Sequence, residues 1–251
     1  MIVFVHIERT GGSKIHDALM AQLPEHHVIV SSPSLVEAAL DRVLADRENC
    51  WYLGGHVRFA ELGPFLRSRR AGDTLFSSVR APIDRALSLY FFALQNPSSM
   101  PALARIAQRS FAEFYAAASD ADVFAPNAQC RFLANTTDLA EVRAALHQHY
   151  DIVGVHHRYK CFCERLQQLL LPSIPGLRID RSRINAAYHQ LIGEDAWERA
   201  AAPCVLVDAA TRRRIERDNQ ADCALVEFIG RQPAGVLEGQ PFDALQHADS
   251  V

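Results

Sequence analysis

Continuously apolar or alternating runs at residues 2–6, 27–30, 50–54, 74–79 and 151–155 predict five β-strands. Segments whose apolar residues recur at helical spacing cover 13–22, 34–45, 59–70 and 82–95. Strands alternating with helices of this length form right-handed βαβ crossovers, so the expected fold is α/β, with a central, mostly parallel sheet flanked by helices in three layers. From about 98 to 150 the chain reads as helices only, punctuated by Pro101 and Pro126. Further helices are expected at 158–171 and 208–229, the second with Asp208 as its N-cap. Pro172, Pro175 and Gly176 mark 172–188 as an irregular loop over the sheet's edge. Residues 1–230 are expected to form a single domain with a helical insertion at 96–150, and 231–251 a tail that pairs loosely or frays.

Composition narrows the functional classes. With 251 residues, 49% of them hydrophobic and 22% charged, the chain can bury a sizeable core. A net charge of −3 gives no general attraction for nucleic acid or an anionic membrane, so any anion must be held by a local cluster. No stretch approaches the roughly 18 apolar residues of a membrane span, and the first residues are too short for a signal peptide; a cytoplasmic location is expected. The six cysteines lack a framework spacing. On a helix the side chains of Cys161 and Cys163 diverge, and no second ligand pair lies nearby, so no metal site is expected.

The chemistry concentrates at the start. An apolar strand runs into His6-Ile7-Glu8-Arg9-Thr10-Gly11-Gly12-Ser13-Lys14, where a helix opens. A strand, a tight turn and a helix N-terminus in that order gather unpaired backbone N–H groups and the positive end of the helix dipole at one point, a socket for a phosphate-like anion. The Gly-x-x-x-x-Gly-Lys-[Ser/Thr] loop of nucleotide triphosphatases is not present: only Gly11 and Gly12 stand here, and Lys14 follows Ser13. A second basic element follows the strand at 74–79. Arg80 stands at its carboxyl end, Pro82 suits a first helical turn, and Ser88 lies two turns into the helix, so the pair can bracket another phosphate. Arg85 is expected on a solvated helix face, as are Arg212, Arg213 and Arg214.

Three segments together resemble the sulfotransferases that use 3′-phosphoadenosine 5′-phosphosulfate, in the branch of heparan sulfate 2-O-sulfotransferase and its bacterial relatives. Residues 6–13 are similar to the family's His-Ile-Pro-Lys-Thr-Gly-Gly-Thr loop. Residues 79–90, Val-Arg-Ala-Pro-Ile-Asp-Arg-Ala-Leu-Ser-Leu-Tyr, are similar to its Arg-Asp-Pro-x-x-Arg-x-x-Ser-x-Tyr element. Between them, Gly55-His56-Val57-Arg58-Phe59 looks like the Gly-His-Val-x-Phe segment that supplies the base. Weaker echoes stand at Val153-Gly154-Val155 and Asn219-Gln220-Ala221-Asp222.

The resemblance, which covers residues 1–230, implies a P-loop-like fold and sulfuryl transfer to an acceptor hydroxyl without a metal. It assigns the cofactor to Arg9, Thr10, Gly11, Gly12, Ser13, Lys14, Arg80 and Ser88, with Arg80 and Ser88 on the 3′-phosphate. It makes His56 the base and puts Arg9 in the place of the loop lysine, next to the breaking bond. Arg183 and Asn185 are candidates for adenine or the 3′-phosphate. The sequence departs from the family at Arg9, at Glu8 (a proline in relatives; here expected to pair with Arg9 or face away) and at Gly54, where some relatives carry a second histidine. His6 is expected to cap or pack, and His26, His27, His147, His149, His156 and His157 to be solvated or locally bonded. The acceptor is expected to be a carbohydrate or small metabolite, neutral or small because 96–136 lacks basic clusters. The aromatics Phe111, Phe114, Tyr115, Phe124 and Phe132 there are candidates for the acceptor cleft. Two alternatives stay open: a nucleotide-binding module of this fold without transfer, and a small-molecule kinase. The oligomeric state is not legible.

Overall fold

The structure is a computed structural model that describes residues 1–31, 33–120, 124–180 and 207–239. It is α/β, with six strands in one sheet: β1 (Ile2–Val5), β2 (His27–Val30), β3 (Tyr52–Gly55), β4 (Thr74–Val79), β5 (Ile152–Val155) and β6 (Val236–Glu238). Their order is β2-β3-β1-β4-β5-β6. The first five are parallel, and β6 runs antiparallel to β5. Thus the tail's residues 236–238 close one edge of the sheet, where the sequence offered only a loosely pairing segment.

The helices are α1 (Ser13–Gln22), α2 (Val36–Ala45), α3 (Gly63–Arg67), α4 (Pro82–Gln95), α5 (Pro101–Ala107), α6 (Phe111–Asp120), α7 (Ala128–Ala134), α8 (Leu139–His149), α9 (Tyr159–Leu170), α10 (Ala209–Asp218) and α11 (Gln220–Gly230). Two expected helices are interrupted. The stretch 59–70 is a single 3-10 turn, Phe59–Glu61, followed by α3, because Pro64 suits only a first helical turn. The stretch 208–229 breaks at Asn219 into α10 and α11; Asp208 does cap the first, accepting from Ala210 N and Thr211 N at 2.9 Å each. Residues 172–180 form turns and irregular chain, as expected.

The chain divides into two compact units. In the described residues the first comprises 1–79, 129–180 and 224–239 and holds the sheet. Of its five parallel strands, β1, β3, β4 and β5 are buried on both faces, which explains their continuous apolar runs, while β2 at the sheet's edge is partly exposed. Ile2 and Phe4 share one face with Tyr52 and Phe76, and this face packs against Ile15 and Leu19 of α1 and Phe162 and Leu166 of α9. The second unit comprises 80–128 and 207–223 and is helical, its core built from Leu89, Phe91, Phe111, Phe114, Phe124 and Ile215.

Topology locates the functional edge. β1 lies between β3 and β4, with Val5 opposite both Gly55 and Ser77. The chain leaves β1 to build one side of the sheet with β2 and β3, then crosses over it to β4 and β5. Ligands of open parallel sheets bind at the carboxyl ends of strands where the order reverses in this way.

Candidate functional site

β1 ends at Val5, and the backbone from His6 to Gly12 turns to open α1 at Ser13. Arg9 (φ +66°) and Gly11 (φ +100°) are left-handed, while Thr10 between them is not. Alternation of this kind turns successive N–H groups toward one side, as in an anion-binding nest. A left-handed non-glycine residue stores strain on the order of 1 kcal/mol, so Arg9 is held there by its surroundings.

Those surroundings are polar and buried. Thr10 is fully buried and its Oγ1 donates to the Ile7 carbonyl at 2.8 Å. Ser78 Oγ, on β4, lies 3.1 Å from Thr10 Oγ1 and 3.3 Å from its carbonyl oxygen. Tyr159, at the start of α9, donates to the Gly11 carbonyl at 3.0 Å. Gly12 stands at the N-cap of α1 and offers no side-chain acceptor to the first-turn N–H groups. Ser13 is exposed, and the Lys14 ammonium is ion-paired with Asp180.

His56 stands at the carboxyl end of the neighbouring strand. Gly55 before it has φ +111°, and a Cβ there would collide with the Val30 carbonyl oxygen, so only glycine makes this turn. The His56 N–H donates to that same carbonyl at 2.8 Å. Its ring Nε2 lies 3.3 Å from Glu8 Oε1. Glu8 therefore does not face away from the site; it turns its carboxylate to the candidate base. His6 N donates to the Gly55 carbonyl at 3.1 Å, which brings the His6 and His56 rings into a stack with centroids 6.0 Å apart.

Behind this surface lies a polar chain that the sequence reading missed. His6 Nδ1 is 3.0 Å from His16 Nε2, and His16 Nδ1 is hydrogen-bonded to the Tyr52 hydroxyl. Burial holds His6 well below the usual histidine range, with the charges of His16, His56 and Arg9 adding to the effect. Burial, with a lesser contribution from His56, holds His16 at about 4. Burial raises the Tyr52 phenol. A usable signal existed: Ile15 and Leu19 mark the buried face of α1, and residue 16, three before Leu19, borders it. Gly54 explains how these rings fit, since a Cβ there would come within 2.8 Å of His16 Cε1. Room beside the sheet that a larger residue 54 would fill is taken by His16.

His156, which follows β5, lies against the loop, since a Cβ on Gly11 would come within 3.0 Å of its Cδ2. His27 Nδ1 lies 2.8 Å from the Leu23 carbonyl oxygen, and His26 meets the Trp51 ring edge-on. Cys161 is partly buried and Cys163 buried, both as thiols on α9.

In the second unit, Arg80 directly follows β4 and Ser88 sits within α4; both are buried. Arg85 is not on a solvated face. It is 4% exposed, with its guanidinium carbon 4.3 Å from the centroid of the Phe124 ring, because the buried side of α4 is wide enough to enclose it. Phe111, Phe114, Tyr115 and Phe124 are buried in the unit's core rather than exposed to an acceptor; Phe132, in the first unit, is partly exposed under Arg58. The segment Asn219–Asp222 is structural. Asn219 accepts from Asn127 N (3.1 Å) and donates to Tyr115 Oη (3.1 Å), while Asn127 Oδ1 accepts from Ala221 N (2.9 Å) and Asp222 N (3.2 Å) at the start of α11. Arg213 is exposed, and Arg214 Nε lies 3.6 Å from Asp218. Arg183 and Asn185 lie outside the described residues.

Among the described residues no group of three or more His, Cys, Asp or Glu side chains is placed to hold a metal ion, and no helix is long and apolar enough to cross a membrane. No family model and no curated protein matches the chain.

Proposed function

We propose that the chain is a sulfotransferase with a P-loop-like fold. It would move a sulfuryl group from 3′-phosphoadenosine 5′-phosphosulfate to a hydroxyl of a carbohydrate or small metabolite. The observation that carries this reading is the pairing of two features at adjacent strand ends. One is a loop in which Arg9 and Gly11 are left-handed and the residue between them is not, the backbone alternation of an anion-binding nest; the other is a histidine, His56, with a carboxylate 3.3 Å from its Nε2.

The residues fit such a donor. Backbone N–H groups from Thr10 to Ser13 would hold the 5′-phosphosulfate, and Arg9 adds a permanent cation beside them. Arg80 and Ser88 would hold the 3′-phosphate. Lys14 is already paired with Asp180, so it serves that loop more remotely than Arg9. When bound, the donor supplies an activated sulfuryl group whose leaving group is a phosphate. The Glu8 carboxylate, 3.3 Å from His56 Nε2, would favour a proton on that nitrogen and so leave the Nδ1 lone pair as the basic site for the acceptor's proton. The carboxylate also stabilises the imidazolium that forms.

Calorimetry with 3′-phosphoadenosine 5′-phosphate, run beside sulfuryl-transfer assays over a panel of hydroxyl compounds, tests the proposal. Nucleotide binding with turnover is expected. Binding weakened by Arg80→Ala but turnover on no acceptor would make the chain a binding module; Mg-dependent ATP turnover would make it a kinase.

A further inference from the structure

We infer that Tyr52 and His16 fix His6 with its proton on Nε2, and that this N–H is a hydrogen-bond donor to the anion held by the 6–13 loop. The inference rests on the proposed function only for the identity of the anion.

The polarity of the chain follows from its buried end. Tyr52 is fully buried, and among the described residues the hydrogen-bond partner of its hydroxyl is His16 Nδ1. A buried phenol that accepted from His16 would leave its own proton without an acceptor, at a cost of roughly 1–3 kcal/mol. Tyr52 therefore donates. With Nδ1 accepting, the neutral His16 ring carries its proton on Nε2, which faces His6 Nδ1 at 3.0 Å. His6 Nδ1 then accepts, and the His6 proton lies on Nε2. Each ring's tautomer is set by the one before it.

The Nε2 edge of His6 is aimed at the loop. A Cβ on Gly12 would come within 2.5 Å of His6 Nε2 and 2.9 Å of Phe4 Cε1, so glycine at position 12 is what allows the imidazole to reach the helix start. Phe4 backs the ring in a stack with centroids 5.1 Å apart. The groups facing His6 are His16 from α1, His56 from the end of β3 and Arg9 from the loop; these charges and burial all favour the neutral ring. His6 thus stands beside Gly12 at the helix start as an oriented neutral donor, and a hydrogen bond from it to the anion would add no charge.

Nitrogen-15 NMR of the full chain tests both halves. The expected spectrum has His6 and His16 each protonated on Nε2, with scalar coupling between His16 Nε2 and His6 Nδ1 across the hydrogen bond. A proton on His6 Nδ1 would overturn the inference. Titration with 3′-phosphoadenosine 5′-phosphate and, separately, with inorganic pyrophosphate should shift the His6 Nε2–H resonance. If neither probe moves it, His6 is no donor to the anion. A response to pyrophosphate but not to the nucleotide would keep this inference and count against the nucleotide reading. His16→Leu should weaken binding of the responding probe about ten-fold, the worth of one hydrogen bond to a charged group. His16→Gln, whose amide can both accept from Tyr52 and donate to His6, should restore most of it. Equal weakening in both variants, with the His6 proton still on Nε2, would reduce His16 to a packing role and overturn the relay.

Discussion

His16 Nε2 lies 3.0 Å from His6 Nδ1, and a single proton bridges the two nitrogens. Protonating either ring would place a charge in a desolvated chain beside other histidines, so burial rather than the bond itself keeps both neutral. Burial holds His16 at about 4 when folded, against 6.5 in the unfolded chain. The unfolded state therefore binds a proton that the folded state refuses between those values. Stability from this residue is complete above about pH 6.5 and is lost as pH falls toward 4, by up to about 3 kcal/mol. Urea midpoints at pH 7.5 and 4.5 should show the loss, and His16→Leu should flatten part of the difference. A slope unchanged by the substitution would remove His16 as its source.

Asn219 anchors the second unit through three hydrogen bonds in one buried side chain: from Asn127 N at 3.1 Å, to Tyr115 Oη at 3.1 Å and to the Ile215 carbonyl at 2.9 Å. Asn219→Ala strands the half-buried Asn127 N–H and loosens the junction of α10 and α11. A loss of about 2–4 kcal/mol is expected in urea unfolding. A loss below about 1 kcal/mol would show that the side chain merely fills space.

The same residue marks where reading the sequence stops. Four of the parallel strands were legible because burial on both faces leaves continuous apolar runs, as in Ile2–Val5 and Ile152–Val155, and the partly exposed β2 was legible from its own short apolar run. The break at Asn219 was not, because a long-range partner, Asn127, decides it rather than a local breaker. β6 was hidden for a related reason: three residues beside β5 carry too little pattern to distinguish a strand from a tail. At the site, Arg9, Gly11 and His56 were readable as chemistry-bearing types around glycines. The partnership of Glu8 with His56 and the chain Tyr52–His16–His6 were not, since they join residues from different strand ends and a helix. The hydroxyls of the buried Ser77 and Ser78 pin β1 and its loop, contacts between distant residues that leave no local pattern.

Arg9 allows strain and charge to be separated. At φ +66° it pays the left-handed cost that glycine escapes. Arg9→Gly should leave stability unchanged or raise it by about 0.5–1 kcal/mol. The same change removes the permanent cation of the loop, so affinity for 3′-phosphoadenosine 5′-phosphate should fall about ten-fold or more. Thermal unfolding and calorimetry on one preparation read both effects. If affinity is retained, Arg9 does not face the anion.

Variants at Glu8 and His56 should separate binding from turnover. His56 Nε2 and Glu8 Oε1 lie 3.3 Å apart at the sheet's carboxyl edge. His56→Ala removes the group that takes the acceptor's proton, so kcat should fall roughly 10²–10⁴-fold with nucleotide affinity within about two-fold. Glu8→Gln keeps a hydrogen-bond acceptor near the ring but no longer stabilises an imidazolium, and kcat should fall about ten-fold or more. Because it also removes a negative charge beside an anion site, nucleotide affinity should rise rather than fall. Initial rates and calorimetry on the two variants give both quantities. A Glu8→Gln enzyme with wild-type kcat would leave Glu8 as a surface charge and return the orientation of His56 to its backbone bond with Val30.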